Sequence, residues 1–278
     1  MGRIARSWVL AKTSWAVLRS DKTLAGIPAI SALVSLVVLG AFAGLFFLVG
    51  IDSGDDGEGL RPIGYVIAAI AYLVSAFVTV YFQGALVAGA SERLQGGDAT
   101  LGASLRAASA KLHRLLPWAI VTATVSFVIS QLERQGWVGA IVGSLLGMAW
   151  NVLTFLTIPI IVIEDTGPVA ALKRSKDLFT RTWGENLAAQ VGFGFIGLVA
   201  LLPAVALVAI GAASGSGVVI GVAIGIAVLW LAVVSVVLAA LSGIYRTALY
   251  RYAVDGRVPD AFAGTDFSDA FAPKRRRG

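Results

Sequence analysis

Six apolar stretches, at roughly 24–51, 62–90, 116–131, 137–163, 187–212 and 218–245, constrain this chain more than any other feature. No Asp, Glu, Lys, Arg or His falls near the middle of any of them. A helix needs about 20 mostly apolar residues to cross the hydrocarbon of a bilayer. Inside it, every backbone N–H and C=O must bond within the segment. The third stretch is the shortest, and the sequence predicts an all-α, polytopic membrane protein with six transmembrane helices. Composition agrees: 58% of the 278 residues are hydrophobic and 14% charged, against about 25% charged in soluble domains.

Charge fixes the orientation. Arg61 and Arg134 are the only basic residues in the loops joining spans one to two, three to four and five to six. The other 20 of the 22 Lys and Arg lie in the N-terminal segment, the two remaining loops and the C-terminal tail. Short loops rich in Lys and Arg stay cytoplasmic, so both termini are expected there, with the acidic "IDSGDDGEGLR" facing outward. The first apolar run begins more than 20 residues in and is too long for a signal-peptide core, so it is read as a retained span.

Between spans four and five, a helical wheel gathers Ala171, Leu172, Ser175, Leu178, Phe179, Thr182 and Trp183 on one arc. Lys173, Arg174, Lys176, Asp177 and Arg181 fill the other. Such a helix is expected to lie in the membrane interface. Its basic arc can face anionic headgroups, each charge contributing on the order of 1 kcal/mol. The pattern occurs twice more. Before span one, Ile4, Trp8, Ala11, Trp15 and Leu18 are flanked by Arg3, Arg6, Lys12, Arg19 and Lys22; before span three, Leu101, Leu105, Ala108, Leu112 and Leu115 accompany Arg106, Lys111 and Arg114. These three cytoplasmic interfacial amphipathic helices act either as topological stop signals alone or in recognition of a lipid or protein. In the second case the headgroup ligands are their basic residues other than Arg3 and Lys22.

Each basic helix runs into a transmembrane hairpin. The result is a single membrane domain, 1–252, of three units at about 1–91, 92–164 and 165–252, repeating in hydropathy and charge rather than in residue identity. A cytoplasmic tail, 253–278, follows. It is read either as disordered or as docking through Phe262, Phe267 and Phe271.

Within the spans, Gly139, Gly143, Gly147 and Asn151 recur four residues apart, as do Gly217, Gly221 and Gly225. Small residues at that spacing let helix backbones approach closely. Asn151 and Gln83 either hydrogen-bond a neighbouring helix or line a polar cavity. Pro159 leaves the carbonyl of Phe155 without its helical donor and predicts a bend. Asp165 and Thr166 are read as caps for the helix starting at Gly167 and Pro168. Tyr245, Arg246, Tyr250, Arg251 and Tyr252 are placed at the interface.

Several chemistries are excluded. There is no cysteine and one histidine, His113, so thiolate sites, disulfides and histidine-rich metal clusters are not expected. Neither phosphate-loop pattern occurs in a usable context. No ionisable group near the middle of a span can relay protons or activate a serine. Catalytic residues, metals and cofactors are therefore expected to be none. Nor is nucleic acid an expected partner, because the formal charge of +6 is distributed by topology.

Four phrases taken together, "SWAVLRSDKTLAGIPAIS", "GASERLQGGDATLGASLRAA", "LTFLTIPIIVIEDTGPVAALKRSKDLFTRTWGE" and "YRYAVDGRVPDAF", resemble an uncharacterised family of bacterial six-helix membrane proteins, classed only as a domain of unknown function. More distantly, the chain is similar to the membrane domain attached to some glycerophosphodiester phosphodiesterases. That likeness implies neither the phosphodiesterase activity nor any catalytic residue. The expectation is a non-enzymatic, lipid-associated accessory or scaffold protein of a bacterial inner membrane. Anionic lipids, and a second membrane protein, are its expected partners. A transporter or channel for a lipid or small apolar solute is the alternative.

Overall fold

The computed structural model describes residues 22–52, 59–183 and 191–256. Helix α1, Lys22–Leu45, continues through a π-helical turn at Phe46–Gly50. Two-residue strands, β1 (Ile51–Asp52) and β2 (Gly59–Leu60), pair antiparallel before α2, Pro62–Leu94. There follow α3 (Leu101–Ala110), α4 (Leu112–Glu133), α5 (Gly136–Thr154), α6 (Thr157–Glu164) and α7 (Pro168–Trp183). The last two helices are α8 (Val191–Ala213) and α9 (Gly217–Asp255).

Among the described residues, five helical segments are long and apolar enough to cross a membrane: Thr23–Gly50, Pro62–Leu94, Leu112–Glu133, Gly136–Glu164 and Gly217–Asp255. Leu201–Ala213, within α8, is apolar but shorter. At 1.5 Å per residue, α2 and α9 extend for roughly 50 and 58 Å. Both exceed a hydrocarbon core of about 30 Å even when tilted. Part of each helix therefore projects beyond it.

The core gathers around one end of these long helices. It joins Leu24 and Ile27 at the start of α1, Leu86, Val87 and Ala90 late in α2, Leu115 and Trp118 early in α4, and Ile244, Leu249 and Tyr250 late in α9. Ile160 and Ile161 of α6 are fully buried among them. Small residues permit the approach. A Cβ on Gly243 would collide with the Leu86 side chain, and one on Gly89 would lie 2.6 Å from Ser104 Oγ. Lipid tails are as apolar as leucine, so packing of this kind, rather than exclusion of water, drives helix association within a bilayer.

The span expected at 137–163 is interrupted at Phe155 and Leu156, between α5 and α6. Pro159 has no N–H for the Phe155 carbonyl, and the helix breaks there. Ser175 of α7, fully buried, closes the gap. Its Oγ donates to the Leu153 carbonyl at 2.6 Å and accepts from the Leu156 N–H at 3.2 Å. Unpaired, each of those backbone groups would cost about 1–3 kcal/mol.

The same contact sets the orientation of α7: Ala171, Ser175, Leu178 and Phe179 are buried and Lys173, Arg174, Lys176, Asp177 and Arg181 exposed, and the buried arc packs on α5 and α6. The serine must reach the break, and the arc follows it. In the second basic segment, the chain turns at Lys111. The expected stripe 101–115 is thereby divided: Leu115 is buried and Leu112 exposed. The first basic helix and the tail beyond residue 256 lie outside the described residues.

Candidate functional site

Of the candidate headgroup ligands, Arg6, Lys12 and Arg19 lie outside the described residues. The others divide into two groups. Lys111 Nζ lies 3.0 Å and Arg114 Nε 3.8 Å from the Asp165 carboxylate, and Arg174 Nε lies 3.5 Å from Glu164 Oε1. These three cations fasten the chain to itself. Lys173, Lys176 and Arg181 are exposed and form no ion pair among the described residues, while Arg106 Nε donates to the Gly102 carbonyl. Among the described candidates, the positive charge free of ion pairs is therefore concentrated on the outer arc of α7.

Asp165 takes a different role from the one expected. It ends α6 in the left-handed region, at φ 52°, a conformation uncommon outside glycine. Its carboxylate then faces the turn between α3 and α4 rather than capping α7. The Lys111 hydrogen bond, followed by the Lys111 and Arg114 charges, holds its pKa below the ordinary carboxylate value. Thr166 turns back to the Ile160 carbonyl. Neighbouring Glu164 accepts from the Tyr250 hydroxyl at 2.9 Å. The adjacent carboxylates thus serve separate contacts. No group of three or more potential metal ligands occurs among the described residues.

The residues read as packing or cavity groups are placed as follows. Gly139 and Gly143 meet Leu132 and Glu133 at the end of α4, and Gly147 faces Ile129. Asn151 is exposed. A Cβ added at Gly217, Gly221 or Gly225 would meet nothing within 4 Å among the described residues, so that face of α9 is open there. Gln83, also exposed at its outer edge, lines a cavity of about 310 Å³ between α1, α2, α6 and α9.

The same cavity is lined by Ser31, Thr79, Ser242 and Arg246, none of which the sequence marked as a site. Arg246 was expected at the interface beside Tyr245 and Tyr250, yet both tyrosines are buried in the core. Arg246 Nε is buried without a hydrogen-bond partner, and its Cζ stands 5.0 Å from the centre of the Phe155 ring. A cation over an aromatic face gains about 0.5–2 kcal/mol. Desolvating an ion costs several kcal/mol, so the ring offsets only part of it. A sequence signal did exist: Ser242 and Gly243 lie three and four residues after Ala239 and four and three before Arg246, a small and polar face ending on a cation.

A second furrow, of about 490 Å³, lies between α8 and α9 and is lined entirely by apolar residues such as Leu201, Val208 and Ile224.

A family model described as a family of unknown function (DUF6159) matches residues 62–260, and the chain belongs to that family. No curated protein and no solved structure matches it.

Proposed function

We propose that this family member is a non-enzymatic, lipid-associated accessory or scaffold protein of a bacterial inner membrane, crossing it six times with both termini in the cytoplasm. α8, Val191–Ala213, supplies the sixth crossing. The observation that carries the reading is the division of labour on α7. Its apolar arc is taken up by the bundle, and its unpaired Lys173, Lys176 and Arg181 form a rigidly held cationic strip. A strip of that kind suits anionic headgroups and needs no catalytic group. The open glycine face of α9 offers a separate surface for a second membrane protein.

Spin-labelled phosphatidylglycerol and phosphatidylcholine in reconstituted vesicles test this reading. The wild type should enrich the anionic label in its lipid shell. Joint replacement of Lys173, Arg174, Lys176 and Arg181 by Ala should reduce that preference several-fold, and added salt should mimic the change. Equal enrichment in both proteins would remove the basis of the proposal. Transport of a lipid or small apolar solute is the second reading, supported by the cavity between α1, α2, α6 and α9, whose lining includes Gln83 and Arg246. Flux across vesicles separates the two.

A further inference from the structure

We propose that the cavity at Arg246 is a binding site for one oxyanion of a membrane amphiphile, either a phosphodiester or a carboxylate. The inference rests on the membrane reading above but not on the cationic strip of α7.

Arg246 is the single charged residue among those lining the cavity, so no carboxylate there balances it. Its enclosed Nε lacks an acceptor, and its ring partner Phe155 supplies no formal charge. Arg246 is half-buried on a candidate membrane span with its Nε enclosed, and an ionisable group so placed marks a functional site by default. A guanidinium presents a planar fork of donors that fits a carboxylate or phosphate group, and such a ligand would bring both the missing acceptor and the missing charge. Neutral groups stand ready for the remaining oxygens. Thr79 donates to the Ser75 carbonyl at 2.9 Å, which leaves Ser31, Gln83 and Ser242 as free donors among the described residues.

Position and size specify an amphiphile. The mouth is marked by Thr79, Gln83 and Ala239, all exposed and all on membrane-spanning helices, so the cavity opens sideways rather than through a loop. A volume of about 310 Å³ stands at the lower end of ligand pockets, roughly 300–1,000 Å³. It accommodates a headgroup, while acyl chains remain outside against the apolar helix surface.

Native mass spectrometry of the full chain tests the site after exchange into micelles containing phosphatidylglycerol, oleate and phosphatidylcholine together. One anionic amphiphile per chain should be retained by the wild type, and equally by the variant with Ala at 173, 174, 176 and 181. Retention should fall roughly tenfold or more in Arg246→Gln. Ala239→Trp, which fills the mouth and leaves the charge in place, should produce the same loss and decides the matter if Arg246→Gln fails to fold. Retained phosphatidylglycerol identifies a phosphodiester and retained oleate a carboxylate. Displacement of either by inorganic phosphate shows that the soluble ion uses the same donors. Wild-type retention in the Trp variant and in any folded Gln variant overturns the proposal, as does equal retention of phosphatidylcholine. Loss in the quadruple variant alone overturns it too, while sparing the cationic-strip reading.

Discussion

Leu229 and Leu249 lie on the same helix, α9, and are 66% and 4% exposed; on α2, Val66 is 51% exposed and Val87 3%. Residue type is equal in each pair, and position along the helix decides. At one end the late parts of α2 and α9 close around α6, while at the other the hairpins α1–α2, α4–α5 and α8–α9 present apolar faces outward. The first end is held by protein contacts. The second is solvated by lipid, for which an exposed leucine is the proper surface. Stability and sequence constraint should therefore reside at the packed end, and partner choice at the open one.

The sharpest way to break this comparison is to truncate one residue at each end. Ile160→Ala, in the packed end, should lower unfolding free energy by about 2–5 kcal/mol. Leu229→Ala should change it by less than about 0.5 kcal/mol. Thermal or denaturant unfolding in micelles measures both, and equal losses would show that the two ends are not distinct.

Glycines give a smaller contrast within α9. Gly243→Ala must displace Leu86 and should cost about 1–3 kcal/mol by overpacking. Gly225→Ala meets open space and should be neutral or stabilising by up to about 1 kcal/mol, through helix propensity alone. A matching loss at Gly225 would mean that its face is occupied in the membrane.

The smallest effect concerns Asp165. Its folded-state pKa lies below the ordinary 3.8, with the Lys111 hydrogen bond as the principal cause. The fold therefore favours the carboxylate. That contribution is complete well above pH 3.8 and is lost as pH falls through the depressed folded value. Asp165→Asn should flatten the acid limb of stability against pH, most visibly at low salt, since the carboxylate is solvent-exposed. An unchanged acid limb would mean that other carboxylates set it.

The apolar spans and the bend at Pro159 were legible in the sequence because each follows from local chemistry. Hydropathy reports a run of residues directly, and a proline always removes a donor. Ser175 was legible only as one member of an apolar arc. Its role depends on a break 20 residues earlier, which periodicity does not connect to it. Arg246 was read only as an interfacial cation for a similar reason: the end of an apolar run carries no sign of the cavity between α1, α2, α6 and α9 that its side chain lines. Spacing of four singled out two sets of glycines: Gly139 and Gly143 pack against the end of α4, whereas Gly217, Gly221 and Gly225 meet open space, and the described contacts also crowd Gly84, Gly89 and Gly243, which have no such register. A pattern finds a face able to pack, and only the partner determines which face is used.

The hydroxyl of Tyr250 meets Glu164 across 86 residues, and Arg251 donates to Ser91 Oγ at 2.7 Å across 160. Both contacts belong to α9. At about 5–20 residues per second, a ribosome requires roughly 8–32 s to travel from Ser91 to Arg251. During that interval the α4–α5 hairpin is still being made, and the surface of α2 that α9 will cover stays bare. Completion of the packed end thus waits on the synthesis of α9, and a chain cut short before Tyr245 would hold the earlier hairpins without the Tyr250 and Arg251 contacts that close it.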